Sequence, residues 1–562
     1  MDNMEIIKRF EALETERRSN IEEDWQKIEN YVCPGRGRFF LQESTESELK
    51  WRRPEVYDST AITAAASLAS AMHSALTSVN TLWFDLRFRQ DEHNKRVPYR
   101  RWLEEVRDRI WQELQDSNFS IQAAEMYMDL VCFGSAMTTA EEIPDRREGP
   151  LVNFKSVPIR ETFFEEGYDG QPMTIYRRLN WTPLQIIDKF GAENVPDIVN
   201  TKAAEQGGAT TRMNLIFCVW ERTSKKDADT SKTLAPLERP YGFKYVLRQG
   251  RELCGKEGGY YEMPAFLPRY ALMSGSRWGY SPAMQALPTI SSVIEYRRLI
   301  LKAAEKVVDP PIKVTERGLV GDIDIEPAGL TVLRELNAME PYESKARFDV
   351  SSMQIQDMVE QIRFIFLVPD LQLKESPQMT ATEVMERVQH MQRRMAPVMA
   401  RLQDDFLDPL ITRVYKILFR AGKLPAPPEE MAGIDTNIDI QYVSPLARAL
   451  KQDSVSDIIA WSQQVSALAE VHPEVLDVPD WDGIVTEMAD ALNIKASMRK
   501  PQADIDKLRE DRKKQMDAQI EAETAKVEGE AMQALGEGKE AVERAGVPVG
   551  EDGNVVPIQG AA

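Results

Sequence analysis

The run from Gln378 to Pro425, QMTATEVMERVQHMQRRMAPVMARLQDDFLDPLITRVYKILFRAGKLP, constrains the fold more than any other part of the chain. Apolar residues recur every three or four positions, at Val384, Val388, Met391, Met395, Val398, Leu402, Phe406, Leu410, Val414 and Leu418. That spacing predicts one amphipathic helix. Thr380 followed by Glu383 forms a capping box, the hydroxyl accepting from the third helical N–H while the carboxylate reaches back to the cap. Gly422 and then Pro425 supply the stop. At a rise of 1.5 Å per residue the helix is about 60 Å long. Pro397 and Pro409 each remove a backbone donor and crowd the preceding turn, so kinks are expected there. A long core helix of an ordinary all-α protein has the same periodicity.

A chain of 562 residues exceeds one core and calls for three or more domains or subdomains. Its formal net charge of -20 argues against a protein that reads nucleic-acid sequence through a basic patch, though not against one that surrounds DNA without gripping it. Cys33, Cys132, Cys218 and Cys254 are far apart with no C-x-x-C pair, which suits a reducing compartment and indicates neither a zinc knuckle nor a disulfide framework. The charged N-terminal stretch MDNMEIIKRFEALETERR has no secretory pattern. Between Asp58 and Asp85 no side chain is charged, but the content is mostly Ala, Ser and Thr with His73 in the middle, which adds little transfer energy into a bilayer. The expectation is a packed internal helix with Ala61, Ala65, Leu68, Met72, Leu76 and Val79 on one face.

Along the chain, helical spacing is read over Leu13–Tyr31, Arg100–Leu114 and Ile121–Phe133. From Pro150 to Tyr270 the pattern turns to short runs separated by Gly, Pro and Asp: Leu151–Val157, Thr174–Leu179, Leu215–Trp220 and Phe243–Leu247. A helix over Pro282–Val308 ends at Asp309, Pro310 and Pro311. Ile312–Leu333 reads as a compact β insertion, Val350–Leu367 as helix and Pro369–Pro377 as an irregular loop. Asn437–Val443 is read as a strand, and the remainder from Leu446 as helical, with a Glu, Lys and Ala-rich run from Gln502 to about Ala545 and a disordered tail.

The stretches that resemble catalytic or metal-binding motifs fail on chemistry. Gly250–Glu257, GRELCGKE, puts a carboxylate where a phosphate loop needs its Mg²⁺-binding hydroxyl, and no clear helix follows, so a turn between short strands is expected. Gly279–Ala283, GYSPA, has the shape of a nucleophile elbow, but Pro282 lacks the N–H of the oxyanion hole, and a helix capped by Ser281 with proline in its first turn is the better account. Asp322, Asp324 and Glu326 alternate without the glycine of a calcium loop. The histidines His73, His93, His390 and His472 form no i, i+4 pair. No cofactor and no metal is expected.

Four stretches in order carry a resemblance: YDSTAITAAASLASAMHSALTSVNTLWFDL (Tyr57–Leu86), GYSPAMQALPTI (Gly279–Ile290), the QMTATEVMERV opening of the long helix, and IDIQYVSPLARAL (Ile438–Leu450). Together they resemble the head-to-tail connector, or portal, proteins of short-tailed, podovirus-type bacteriophages, over most of the chain from about residue 20 to 490. The resemblance implies an α+β, mainly α portal fold with wing, stem, clip and crown and a very long kinked wing helix. It implies a wing over 1–281, stem helix 1 over 282–308, a clip over 309–350, stem helix 2 over 351–367 and a tunnel loop over 368–379. The long wing helix and strand then occupy 380–445, a helical crown region 446–545 and a disordered tail 546–562. Such a protein is no enzyme. It is a homo-oligomeric ring, usually of twelve copies, at one capsid vertex of the virion, assembled in the host cytoplasm, through which double-stranded DNA enters during packaging and leaves at ejection. Its implied partners are the major capsid and scaffolding proteins, the terminase large subunit and tail adaptor proteins, with no membrane.

On that resemblance Gln372, Leu373 and Lys374 are expected in the tunnel loop, and Glu316, Arg317, Asp322 and Asp324 on the clip where motor and tail dock. Because a basic lumen would bind DNA tightly and stall it, a lumen lined largely by carboxylates is expected, with Lys374 touching phosphates transiently. Two other classes compete. A packaging ATPase or nuclease needs a phosphate loop or carboxylate cluster, and a membrane-attached scaffold would use Ser59–Phe84 as its anchor.

Overall fold

The computed structural model describes residues 1–34, 56–94, 96–143, 149–208, 211–225, 234–315, 332, 339–341, 348–371, 394–428, 431, 438–442, 458–469, 472–491, 498, 500 and 502–544. Where one helix over Leu13–Tyr31 is expected there are two, α1 (Asn3–Asn20) and α2 (Glu22–Tyr31), broken at Ile21. Across the break the buried Arg17 pairs with Glu22 at 2.7 Å and donates to the carbonyls of Ile159, Thr162 and Arg160 at 3.1, 2.8 and 3.0 Å. Burial lowers its pKa to about 10, so it stays charged at neutral pH.

The uncharged stretch forms α3 (Thr60–Leu76), buried through Ala61, Ala65, Leu68, Met72 and Leu76. Val79, expected on the same face, lies past the helix end and is 44% exposed. Instead of continuing as helix, the chain makes β1 (Phe84–Phe88), whose alternate residues Phe84, Leu86 and Phe88 are buried. No helix among the described residues is long and apolar enough to cross a membrane. Next come a short α4 (Asp91–Asn94), α5 (Val97–Asp116) and α6 (Phe119–Phe133), then β2 (Met137–Glu142) and β3 (Val152–Val157).

The β-rich section is a five-stranded antiparallel meander of β4 (Thr162–Glu166), β5 (Pro172–Trp181), β6 (Met213–Glu221), β7 (Tyr241–Leu247) and β8 (Leu253–Tyr260), with α7 (Pro183–Phe190) and α8 (Asp197–Ala204) inserted after β5. The period of two along β6 serves two cores. Leu215, Phe217 and Val219 pack with Ile186 and Val199 of α7 and α8, while Ile216, Cys218 and Trp220 pack with Ile6, Phe10 and Leu13 of α1. The sheet is therefore covered on both faces. A two-residue β9 (Ala265–Phe266) completes a smaller sheet in the order β3-β2-β9.

From there α9 (Pro282–Val308) runs into a ribbon of β10 (Ile312–Val314) and β11 (Met339–Pro341), and α10 (Phe348–Ile365) returns along α9. The expected loop after it begins with one helical turn, α11 (Val368–Leu371). The long helix is described from residue 394 as α12 (394–402), a π-turn at Gln403–Leu407, and α13 (Asp408–Arg420). In a regular helix the ring of Pro409 would meet the carbonyl four residues back, that of Asp405. The π-turn answers this, the N–H of Asp408 donating to Gln403 O, five residues back. At the far end Gly422 takes φ 65° and Lys423 N–H donates to Leu418 O at 3.0 Å, closing the helix as the glycine predicts. β12 (Ile438–Tyr442) pairs antiparallel with β1, joining segments some three hundred and fifty residues apart. Among the described residues that follow are α14 (458–469), α15 (Trp481–Ala491) and α16 (Gln502–Arg544).

Candidate functional site

The most distinctive assembly is the α9–α10 hairpin and the joint at its root. Within α9, Ala283, Ala286, Leu287, Ile290, Val293 and Ile294 are buried, whereas no residue from Glu295 to Val308 is. The outer part of α9 thus projects from the body, with Leu301 at 55% and Val308 at 85% exposure, while α10 enters the core through Ile355 and Ile362 and leaves Phe364 exposed near its end. Arg297 near the exit is tied back to Asp58 at 2.7 Å, and Arg298 to Glu295 at 2.6 Å.

At the root, Ser281 caps α9: its Oγ accepts from Met284 N–H at 3.0 Å and donates to Cys132 O at 2.8 Å. A hydroxyl so engaged is a cap and tether, as the proline after it predicts. Gly279 N–H donates to Ser135 Oγ at 2.8 Å, and the backbones of Gly279 and Gly134 touch. Gly134, at φ 74°, ends α6 in the left-handed region that glycine favours. Beside this contact Arg269 reaches the π-turn. Its Nε and Nη2 donate to Asp405 at 3.1 and 3.4 Å, and its Nη1 to Glu166 at 2.7 Å and Gly170 O at 3.3 Å.

Further along, α13 is clamped to the small sheet. Arg413 donates to Ala140 O at 2.9 Å and Glu262 O at 3.0 Å, and Arg420 donates to both carboxylate oxygens of Glu262 at 2.6 and 3.1 Å. Tyr442 donates to Asp408, fastening β12 to the same helix. Burial raises the pKa of Asp408, and burial with that carboxylate raises that of Tyr442.

The expected site residues Glu316, Arg317, Asp322 and Asp324 of the clip, Gln372, Leu373 and Lys374 of the tunnel loop, and the Thr380–Glu383 capping box lie outside the described residues, as does His390. Glu257, where a phosphate loop would need a hydroxyl, sits on β8 in ion pairs with Arg222 at 2.6 Å and Lys244 at 3.2 Å, and the turn at Gly250–Arg251 precedes the strand. Among the described residues no His, Cys, Asp and Glu group is arranged to hold a metal ion, and the four cysteines are buried and form no disulfide. Arg269, Asp405, Arg413 and Glu262 escaped the sequence reading. The usable signal was a charge at the spacing of an apolar stripe: Asp405 directly precedes Phe406 and Arg413 directly precedes Val414, and a buried charge demands a partner.

Comparison with known proteins supplies the family. The sequence profile of the bacteriophage head to tail connecting protein matches residues 3–499. A probable portal protein of Bordetella phage BPP-1 is 28% identical over 528 residues, covering 92% of both chains. The portal protein of Salmonella phage epsilon15 is 25% identical over 523 residues, covering 91% of both. A chain in the neck of an empty gene transfer agent particle overlaps at a TM-score of 0.34 with 11% identity, over 72% of this chain and 86% of that one. With one family matched from residue 3 to residue 499, the chain belongs to the bacteriophage head-to-tail connecting proteins.

Proposed function

We propose that copies of this chain close into a ring, of twelve subunits, at one vertex of the phage capsid, and that double-stranded DNA passes through its centre during packaging and ejection. The family match over residues 3–499 carries this reading, and relatives named portal proteins over nine-tenths of their length support it. The exposed apolar side chains of α9 and α10 support the ring: a helical hairpin with Leu301, Val308 and Phe364 in water is suited to neighbours that cover it. In this reading the α9–α10 pair is the stem, 309–350 the clip that meets the terminase motor and tail adaptors, 368–379 the tunnel loop and 446–545 the crown.

The duplex carries one negative charge per about 1.7 Å of axis, so a wall that grips phosphates slows its passage. The chain's net charge of -20 supports a lumen rich in carboxylates, with Lys374 making passing phosphate contacts. The outer part of α9 is net basic, with Arg297, Arg298, Lys302 and Lys306 against Glu295 and Glu305, so the acidic lining is assigned to other segments.

Negative-stain images and the native mass of the full-length protein test the reading. Rings with a hole wide enough for a duplex about 20 Å across are expected. A monomer or dimer that stays so in the presence of scaffolding protein would overturn it.

A further inference from the structure

One guanidinium ties the long helix to the β4–β5 turn, and the backbone of the same residue pairs beside the root of α9. Arg269, 1% exposed, spends its nitrogens on Asp405 of the long helix and on Glu166 and Gly170 O at the turn between β4 and β5. Its own backbone pairs with Ser135 at the end of α6, and the segment it begins leads through Gly279 to the Ser281 cap. Asp405 lies within the π-turn, buried beside Phe406, while Asp404 next to it is exposed.

We propose that Arg269 is a positioning residue that sets the angle between the five-stranded sheet, the stem hairpin and the long helix, and through it the number of copies in the ring. This rests on the ring reading above. In a closed ring of n copies the two lateral faces of each subunit are related by a full turn divided by n, about 30° for twelve, and a ring of eleven or thirteen differs by about 2–3°. A turn of 3° at the cap moves the far end of α9, about 40 Å away at 1.5 Å per residue, by about 2 Å. That displacement is smaller than one hydrogen-bond length, so copy number is decided by geometry as fine as the joint's own bonds. Arginine suits the task. Its planar fork holds a carboxylate by two parallel bonds while a third nitrogen holds another segment, whereas a lysine ammonium offers no fixed plane.

The test uses full-length chain carrying Arg269→Lys or Asp405→Asn, with Asp404→Asn as the control from the exposed side of the same turn. Copies per ring are counted from native mass and from the rotational symmetry of end-on images, and melting is recorded alongside. The unaltered chain and Asp404→Asn should show one dominant number. In Arg269→Lys and Asp405→Asn the ratio of the dominant number to its neighbours should fall by about tenfold, equivalent to about 1.4 kcal/mol of lost preference. Should Asp405→Asn give no soluble chain, Arg269→Lys, which keeps the buried positive charge, reads the same quantity. Rings of unchanged number in the variants, with only their melting lowered, overturn this inference alone. An unaltered chain that assembles no ring overturns the ring reading and this inference with it.

Discussion

Gly279→Ala probes the root of the hairpin with one carbon atom. A Cβ at this position would lie 1.9 Å from Gly134 O and 2.7 Å from its carbonyl carbon, so the two backbones must part by more than 1 Å to reach an ordinary contact of about 3.2 Å. The carbonyl cannot simply yield, because Gly134 O accepts from Tyr270 N–H at 2.8 Å. Overpacking of this kind costs about 1–3 kcal/mol. Losing that bond and the Gly279 to Ser135 bond adds about 1 kcal/mol each. The sum is about 3–5 kcal/mol. Gly275→Ala is the matched control: Gly275 has φ 83° with nothing within 4 Å of a Cβ, so it bears only the left-handed backbone cost of about 1–2 kcal/mol. At about 2 °C per kcal/mol for a large unit, calorimetry should show the Gly279→Ala transition lower by about 6 °C or more and that of Gly275→Ala by about half as much. If Gly279→Ala melts no lower than Gly275→Ala, the backbone contact does not hold the joint and the argument from it fails.

Glu262→Ala strands the buried Arg413 without a carboxylate and should cost about 3 kcal/mol, read as a shift in the denaturant midpoint; a loss below about 1 kcal/mol would show that Ala140 O suffices. Ser281→Ala removes a helix cap and the partner of Cys132 O, for about 1–2 kcal/mol, so thermal denaturation should show a measurable loss, and an unchanged melting point would refute the tether. His73, half-buried and bonded to Thr77 and Ser120, has its pKa lowered by burial from the ordinary 6.5. Its neutral form is the one the fold favours, so stability is fully present above pH 6.5 and declines as pH falls through the lowered value. His73→Gln should flatten that decline in melting temperature between about pH 7 and 5; an unchanged slope would assign it to other groups.

What the chain's order of residues determined by itself was local. Period and punctuation located α9 at Pro282–Val308, the end of the long helix at Gly422, the Ser281 cap and the cores of β3, β5, β6, β7 and β12, because helix and strand repeats are written in neighbouring residues. The resemblance carried by four ordered stretches pointed to the family that the comparison established. Strands without apolar alternation escaped: β2 reads MTTAEE and β8 LCGKEGGY, and both owe their strand state to the neighbours that pair with them. β1 is short and follows a helix-like run, and its pairing partner β12 comes some three hundred and fifty residues later in the chain. Proline signalled a disturbance at Pro409, but the partner that meets Asp405 inside the π-turn is Arg269, 136 residues earlier in the chain. Likewise Gly279 is legible as a loop glycine, while the reason that it must be glycine is the backbone of Gly134 against it. Local order is set by torsions and spacing within a few residues. The joint is set by which distant carbonyls and charges are buried together, since a buried charge or carbonyl must find its partner wherever the fold brings one.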